Sequence, residues 1–155
     1  MREGVEHSSA VCVLVGSDTW QSKWVKYEIA RAVIDKKGLL AVGINSLPHV
    51  HSRIPHSAGI NPLAVMGVYK GTNGSFYLAE NRWVPSVSNA LQYEWRWFIY
   101  EDYKFPVSLP PYLVEKPNSN VSALSEGARL YDYVANDGLN KLGSWIDFAA
   151  KRVGR

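Results

Sequence analysis

Trp24 and Glu28 stand four residues apart, with the types and spacing to meet one ligand. One helical turn would put an indole and a carboxylate on the same face. Arg31 and Asp35 continue that stripe. In the plainer reading Glu28 is an exposed helix residue paired with Arg31 or a lysine. Trp24 has two readings as well, stacking on a ligand ring or covering the sheet as amphipathic bulk. Upstream, Ser17, Asp18 and Thr19 follow the apolar run Val11-Cys12-Val13-Leu14-Val15. If that run is a parallel strand, they lie at its carboxyl end, where open α/β sheets bind ligands. They also suit backbone capping in a polar loop.

Other residues with chemical potential point to blander roles. His49, His51 and His56 have no cysteine or acidic residue among them, and Pro48 and Pro55 break any regular scaffold, so a metal site is not expected. Cys12 lies inside an apolar run and reads as a small buried hydrophobe rather than a nucleophile. Asn61-Pro62 fixes a turn. Trp83, Tyr93, Trp95, Trp97, Tyr100 and Tyr103 have few basic residues among them, so core packing or a protein interface fits better than a platform for single-stranded nucleic acid.

The elements that must position these residues are plain in the first third of the chain. Residues 10–15 are continuously apolar, as in a strand buried on both faces. Ser22 is an N-cap candidate for a helix over about 23–37, with Val25, Ile29, Ala32 and Val33 facing a core. Lys36-Lys37-Gly38 reads as a basic last turn and a glycine stop. Residues 38–44 form a second apolar run, so strand, helix and strand predict a right-handed βαβ unit in a parallel sheet. Short strands are expected at 64–69 and 75–79 around a Gly71–Gly74 turn, and 93–100 is an exposed strand or an irregular aromatic segment. Prolines 106, 110, 111 and 117 exclude long helices there, and a last helix over about 139–153 presents Leu142, Trp145, Ile146 and Ala149 on one face.

The 155 residues suit a single domain spanning 1–155, and 46% hydrophobic with 20% charged residues is globular composition. A net charge of +3 with scattered Lys and Arg argues against a nucleic-acid partner. One cysteine fits a reducing, cytoplasmic compartment, and no stretch is long enough to span a bilayer.

Val13-Leu14-Val15-Gly16-Ser17-Asp18-Thr19 followed by Ser22-Lys23-Trp24-Val25-Lys26-Tyr27-Glu28-Ile29 resembles a TIR-type signature. Gly59-Ile60-Asn61-Pro62-Leu63, Tyr131-Asp132-Tyr133-Val134 with Asp137-Gly138, and Trp145-Ile146-Asp147 with Ala149-Ala150 are similar, in that order, to the TIR-like domain of the bacterial Thoeris defence (ThsB-like) family. The resemblance implies a flavodoxin-like α/β fold and antiphage signalling. It also implies NAD glycohydrolase or cyclase chemistry, making an ADP-ribose-type signal for a separate effector protein. NAD is then the substrate, and no cofactor is implied. Glu28 matches the family's essential carboxylate, with Trp24 as a ring contact and Ser17, Asp18 and Thr19 in the cleft floor. The alternative is a non-catalytic interaction or nucleotide-binding module using the same surfaces.

Family members carry a strand, helix, strand, helix unit before the strand matching residues 10–15, whereas nine residues precede it here. The expectation is a chain lacking that portion, with residues 10–15 as an edge strand open to self-association.

Overall fold

The computed structural model describes residues 8–49, 51–116 and 120–155, so Met1–His7 and Pro117 lie outside the described residues. The expected βαβ unit is present. Strand β1 (Ala10–Val15) and strand β2 (Gly38–Gly43) pair in parallel, Ala10 opposite Gly38 through Val15 opposite Gly43. They are joined by α1 (Lys23–Ile34), whose N-cap Ser22 accepts a hydrogen bond from the Val25 N–H at 3.4 Å.

The end of α1 corrects the sequence reading. The helix stops at Ile34, and it is Lys36, not a glycine, that takes the left-handed backbone, at φ 54°. Gly38 serves a different purpose. A Cβ there would lie 2.4 Å from the Ala149 backbone, so its missing side chain lets the last helix approach the sheet. That helix, α2 (Gly138–Lys151), brings Trp145 and Ala149 onto Leu40 and Val42, with Leu142 and Ile146 alongside. The opposite face of β2 packs Leu39 and Ala41 into the larger core with Ile29, Ala32 and Val33 of α1. Both faces of β2 are therefore covered, which is why its pattern is uniformly apolar.

A third parallel strand, β7 (Arg129–Asp132), completes the order β1-β2-β7. Its four residues were too few to stand out as a strand, although Tyr131 stacks flat on Trp145, 4.2 Å between ring centroids. Among the described residues this places β1 at an edge of the sheet, as expected.

The chain between β2 and β7 forms a second, antiparallel sheet of order β5-β4-β3-β6. It consists of β3 (Met66–Lys70), β4 (Phe76–Pro85), β5 (Tyr93–Ile99) and β6 (Ser122–Ala123). The Gly71–Gly74 turn joins β3 to β4, with Gly74 at φ 81°. Met66, Val68 and Leu78 from this sheet join Ile29 and Val33 in the larger core. Strand β4 is ten residues long, twice the expected length, and residues 93–99 are the exposed strand rather than an irregular segment. No helix among the described residues is long and apolar enough to cross a membrane.

Candidate functional site

The loop after β1 holds itself in shape. The Thr19 hydroxyl accepts from the Gly16 N–H at 2.8 Å, and Asp18 opens a single 3-10 turn, its carbonyl accepting from the Gln21 N–H at 3.1 Å. The Ser17 hydroxyl donates to the Ser57 carbonyl at 3.1 Å. The loop ending at Asn61 lies hard against this turn, since a Cβ on Gly59 would meet the Gly16 carbonyl oxygen at 2.2 Å. Asn61 in turn caps the 3-10 turn Pro62–Ala64 through the Leu63 N–H at 3.0 Å, the turn-fixing part expected of it. Ser17 and Thr19 thus bond backbone groups, while the Asp18 carboxylate is exposed and makes no capping bond.

Trp24 and Glu28 share the same side of α1. Trp24 is 70% exposed, and Glu28 is half-buried. Arg31 does not take Glu28 as its partner. It binds Asp35 instead, through two contacts of 2.8 and 2.9 Å. Among the described residues the Glu28 carboxylate makes no hydrogen bond or ion pair, so the plainer reading of a paired surface glutamate does not describe it.

The other flank of α1 is chemically different. Lys26 reaches the carboxylate of Glu80 on β4 at 3.3 Å, and Arg82 Nε donates to the other oxygen of that carboxylate at 2.7 Å. Gln21, Lys23, Glu101, Asp102 and Tyr100 complete a cavity of about 450 Å³ around these groups, and neither Glu28 nor Trp24 lines it. Burial, with the Asp102 carboxylate beside it, pushes the Tyr100 phenol well above its usual range. Glu28 lies about 200° round the helix from Lys26 and so faces away from β4. Lys26 and Glu80 meet across 54 positions of sequence, out of reach of any local pattern. The available hint was one acidic residue ending the apolar stretch Phe76–Glu80.

At the carboxyl ends of β2 and β7 a further group, also not singled out from sequence, ties the strand loops together. Asp132 accepts from the Ala135 N–H at 2.7 Å, the Ser46 hydroxyl at 2.8 Å and the Val134 N–H at 2.9 Å. These bonds hold its carboxyl below the usual carboxylate range, with the Ala135 bond contributing most. Gly138 is needed beside it, since a Cβ there would lie 2.3 Å from the Tyr133 ring.

Cys12 is half-buried against the smaller core, and burial pushes its thiol up, the opposite of an activated thiolate. His49 accepts the N–H groups of His51 and Ser52 on Nδ1, at 3.2 and 3.5 Å. No group of three or more His, Cys, Asp or Glu among the described residues is arranged to hold a metal ion.

Two comparisons bear on this geometry. The sequence model of the family described as "Thoeris protein ThsB, TIR-like domain" matches residues 1–49, the span that holds β1, α1, β2 and the Trp24–Glu28 pair. A Bacillus cereus (strain MSX-D12) protein named "Putative cyclic ADP-D-ribose synthase ThsB1" is 31% identical over 149 residues, covering 93% of this chain and 69% of that protein.

Proposed function

The chain belongs to the TIR-like domain family of Thoeris ThsB proteins, and from that premise we propose that it cleaves NAD to make an ADP-ribose-type signal in antiphage defence. The reaction breaks the bond between the nicotinamide nitrogen and the ribose carbon. The bonding pair leaves with nicotinamide, and positive charge builds on the ribose. A carboxylate held beside that carbon stabilises the charge or captures it as a covalent intermediate. Attack by water then yields ADP-ribose, whereas attack by a nucleophile within the same molecule yields a cyclic product.

Glu28 is the carboxylate assigned to this step, with Trp24 one turn away offering a ring face to nicotinamide or adenine. Ser17, Asp18 and Thr19 form the cleft floor. Of these, Asp18 has its side chain exposed, and Ser17 and Thr19 shape the turn. The observation that carries the assignment is that Glu28 is half-buried and without an ion pair among the described residues, on the same flank as an exposed tryptophan. The product acts on a separate effector, so NAD is the direct partner.

Incubating the protein with NAD and separating the products by chromatography tests the reading. Free nicotinamide together with linear or cyclic ADP-ribose is expected. Saturable NAD binding with no nicotinamide formed would replace catalysis with a nucleotide-binding module.

A further inference from the structure

Strand β5 is an outer strand of the second sheet and pairs only with β4 among the described residues. Beyond Asn81 the hairpin leaves the sheet. Of β4, only Phe76–Glu80 pairs with β3, and the Asn81 N–H still bonds the Val65 carbonyl at 2.8 Å, so among the described residues Arg82–Pro85 and Tyr93–Arg96 continue as a two-stranded ribbon. One face of that ribbon carries Trp83 directly opposite Trp95, and Pro85 opposite Tyr93. Trp83, Tyr93, Trp95 and Ile99 are 52%, 53%, 39% and 48% exposed.

The hydrogen-bond phase shows which β5 groups point outward. The Ser86 N–H bonds the Gln92 carbonyl at 2.7 Å and the Tyr100 N–H bonds the Leu78 carbonyl at 3.0 Å. Even-numbered residues of β5 therefore exchange bonds with β4, and Tyr93, Trp95, Trp97 and Ile99 direct N–H and C=O to the open side. Any antiparallel partner must pair with these odd-numbered residues.

We propose that the protein pairs with a second copy of itself, β5 against β5 in antiparallel register, about a two-fold axis through Trp95. Three registers near the strand centre satisfy the outward groups, and charge separates them. Sliding the pairing by one pair in one direction sets Arg96 against Arg96 of the second copy, and in the other direction Glu94 against Glu94. Centring on Trp95 sets Glu94 against Arg96 twice. These fall at non-hydrogen-bonded positions, where opposing side chains are closest. Within one chain Arg96 already binds Glu94 at 2.6 Å, and its hydrogen bond holds the Glu94 carboxyl below the usual carboxylate range. The same register sets Tyr93 against Trp97 and joins two Trp83–Trp95 pairs into a row of four indoles. It covers more of an aromatic surface that is about half open to water and that Trp20 of the same chain already meets edge-on, 5.5 Å from Trp95 between ring centroids. Two four-stranded sheets become one of eight, and the open edge disappears.

Analytical ultracentrifugation of the full chain across a wide concentration series tests this. Wild type is expected to pass from monomer to dimer. Reversing either charge alone, Glu94→Arg or Arg96→Glu, sets like charges opposite each other at both sites and is expected to weaken association about tenfold or more. The double exchange Glu94→Arg with Arg96→Glu restores complementarity and is expected to return association to near the wild-type level. Circular dichroism of each variant checks that it is folded. A monomer throughout the series, a dimer indifferent to the single reversals, or a double exchange no better than the singles would each overturn the proposal.

Discussion

Strands β1 and β2 are both six residues long, both apolar and hydrogen-bonded to each other along their length, yet they live in different surroundings. Every residue of β2 is buried. In β1 only Val13 and Val15 are, and Leu14 is 54% exposed on the face where Leu40 and Val42 meet α2. Strand β2 has a neighbour on each side, β1 and β7, whereas among the described residues β1 pairs with β2 alone. An apolar run therefore records what a strand is built to bury, and the number of neighbours decides how much of it is buried. The same distinction separates the two flanks of α1. One is tied to β4 by the Lys26–Glu80–Arg82 group, and the other leaves Trp24 exposed and Glu28 half-buried, without an ion pair among the described residues.

The sharpest way to break this comparison is to truncate equivalent leucines. Leu40→Ala empties a fully buried site under Trp145 and is expected to cost about 2–5 kcal/mol. Leu14→Ala, half in water, is expected to cost less than about 1 kcal/mol. Chemical denaturation of both variants measures the gap, and equal losses would mean that β1 is covered as thoroughly as β2. A smaller effect is expected from Gly38→Ala. The added methyl meets the Ala149 backbone and pushes α2 off the sheet, at about 1–3 kcal/mol in the same assay.

Smaller again is Asp132→Asn, which weakens the bonds from Ala135, Ser46 and Val134 and is expected to cost about 1 kcal/mol at neutral pH. The sign of its pH dependence follows from the direction of the shift. A carboxyl held below its unfolded value stabilises the fold above that value, about pH 4, and loses the contribution as pH falls through the folded value. The difference between wild type and Asp132→Asn should therefore shrink in acid, as thermal melts from pH 7 down to 3 would show. The mildest contrast lies in amide hydrogen exchange, where β1 amides are expected to exchange faster than those of β2.

How much of this was legible beforehand follows from how each part is stabilised. The β1-α1-β2 unit could be read because continuous apolar runs and a helical period are local signals, and the Trp24–Glu28 pair came with it. The final helix was legible for the same reason, its face of Leu142, Trp145, Ile146 and Ala149 being a simple 3.6-residue repeat. The second sheet was legible in part: the strands expected at 64–69 and 75–79 are β3 and the first half of β4, whereas β5 alternates aromatics with Glu94 and Arg96 and reads equally as an exposed strand or an irregular segment. Strand β7 was lost to its shortness. The Lys26–Glu80–Arg82 cavity depends on contacts between α1 and a strand 54 positions away, and Asp132 on a hydroxyl 86 positions away. Gly38 misled because a glycine after a helix usually ends it, and here the demand came from α2, more than 100 residues further along.

The role proposed for Glu28 is that of the carboxylate that assists cleavage of the nicotinamide–ribose bond. The most direct test is the initial rate of nicotinamide release from saturating NAD, compared between wild type and Glu28→Gln. Loss of a carboxylate that stabilises the developing charge is expected to lower the rate about a hundredfold or more, with the protein still folded. A Glu28→Gln rate within a few-fold of an active wild type would contradict the account and send the search to the cavity on the other flank of α1.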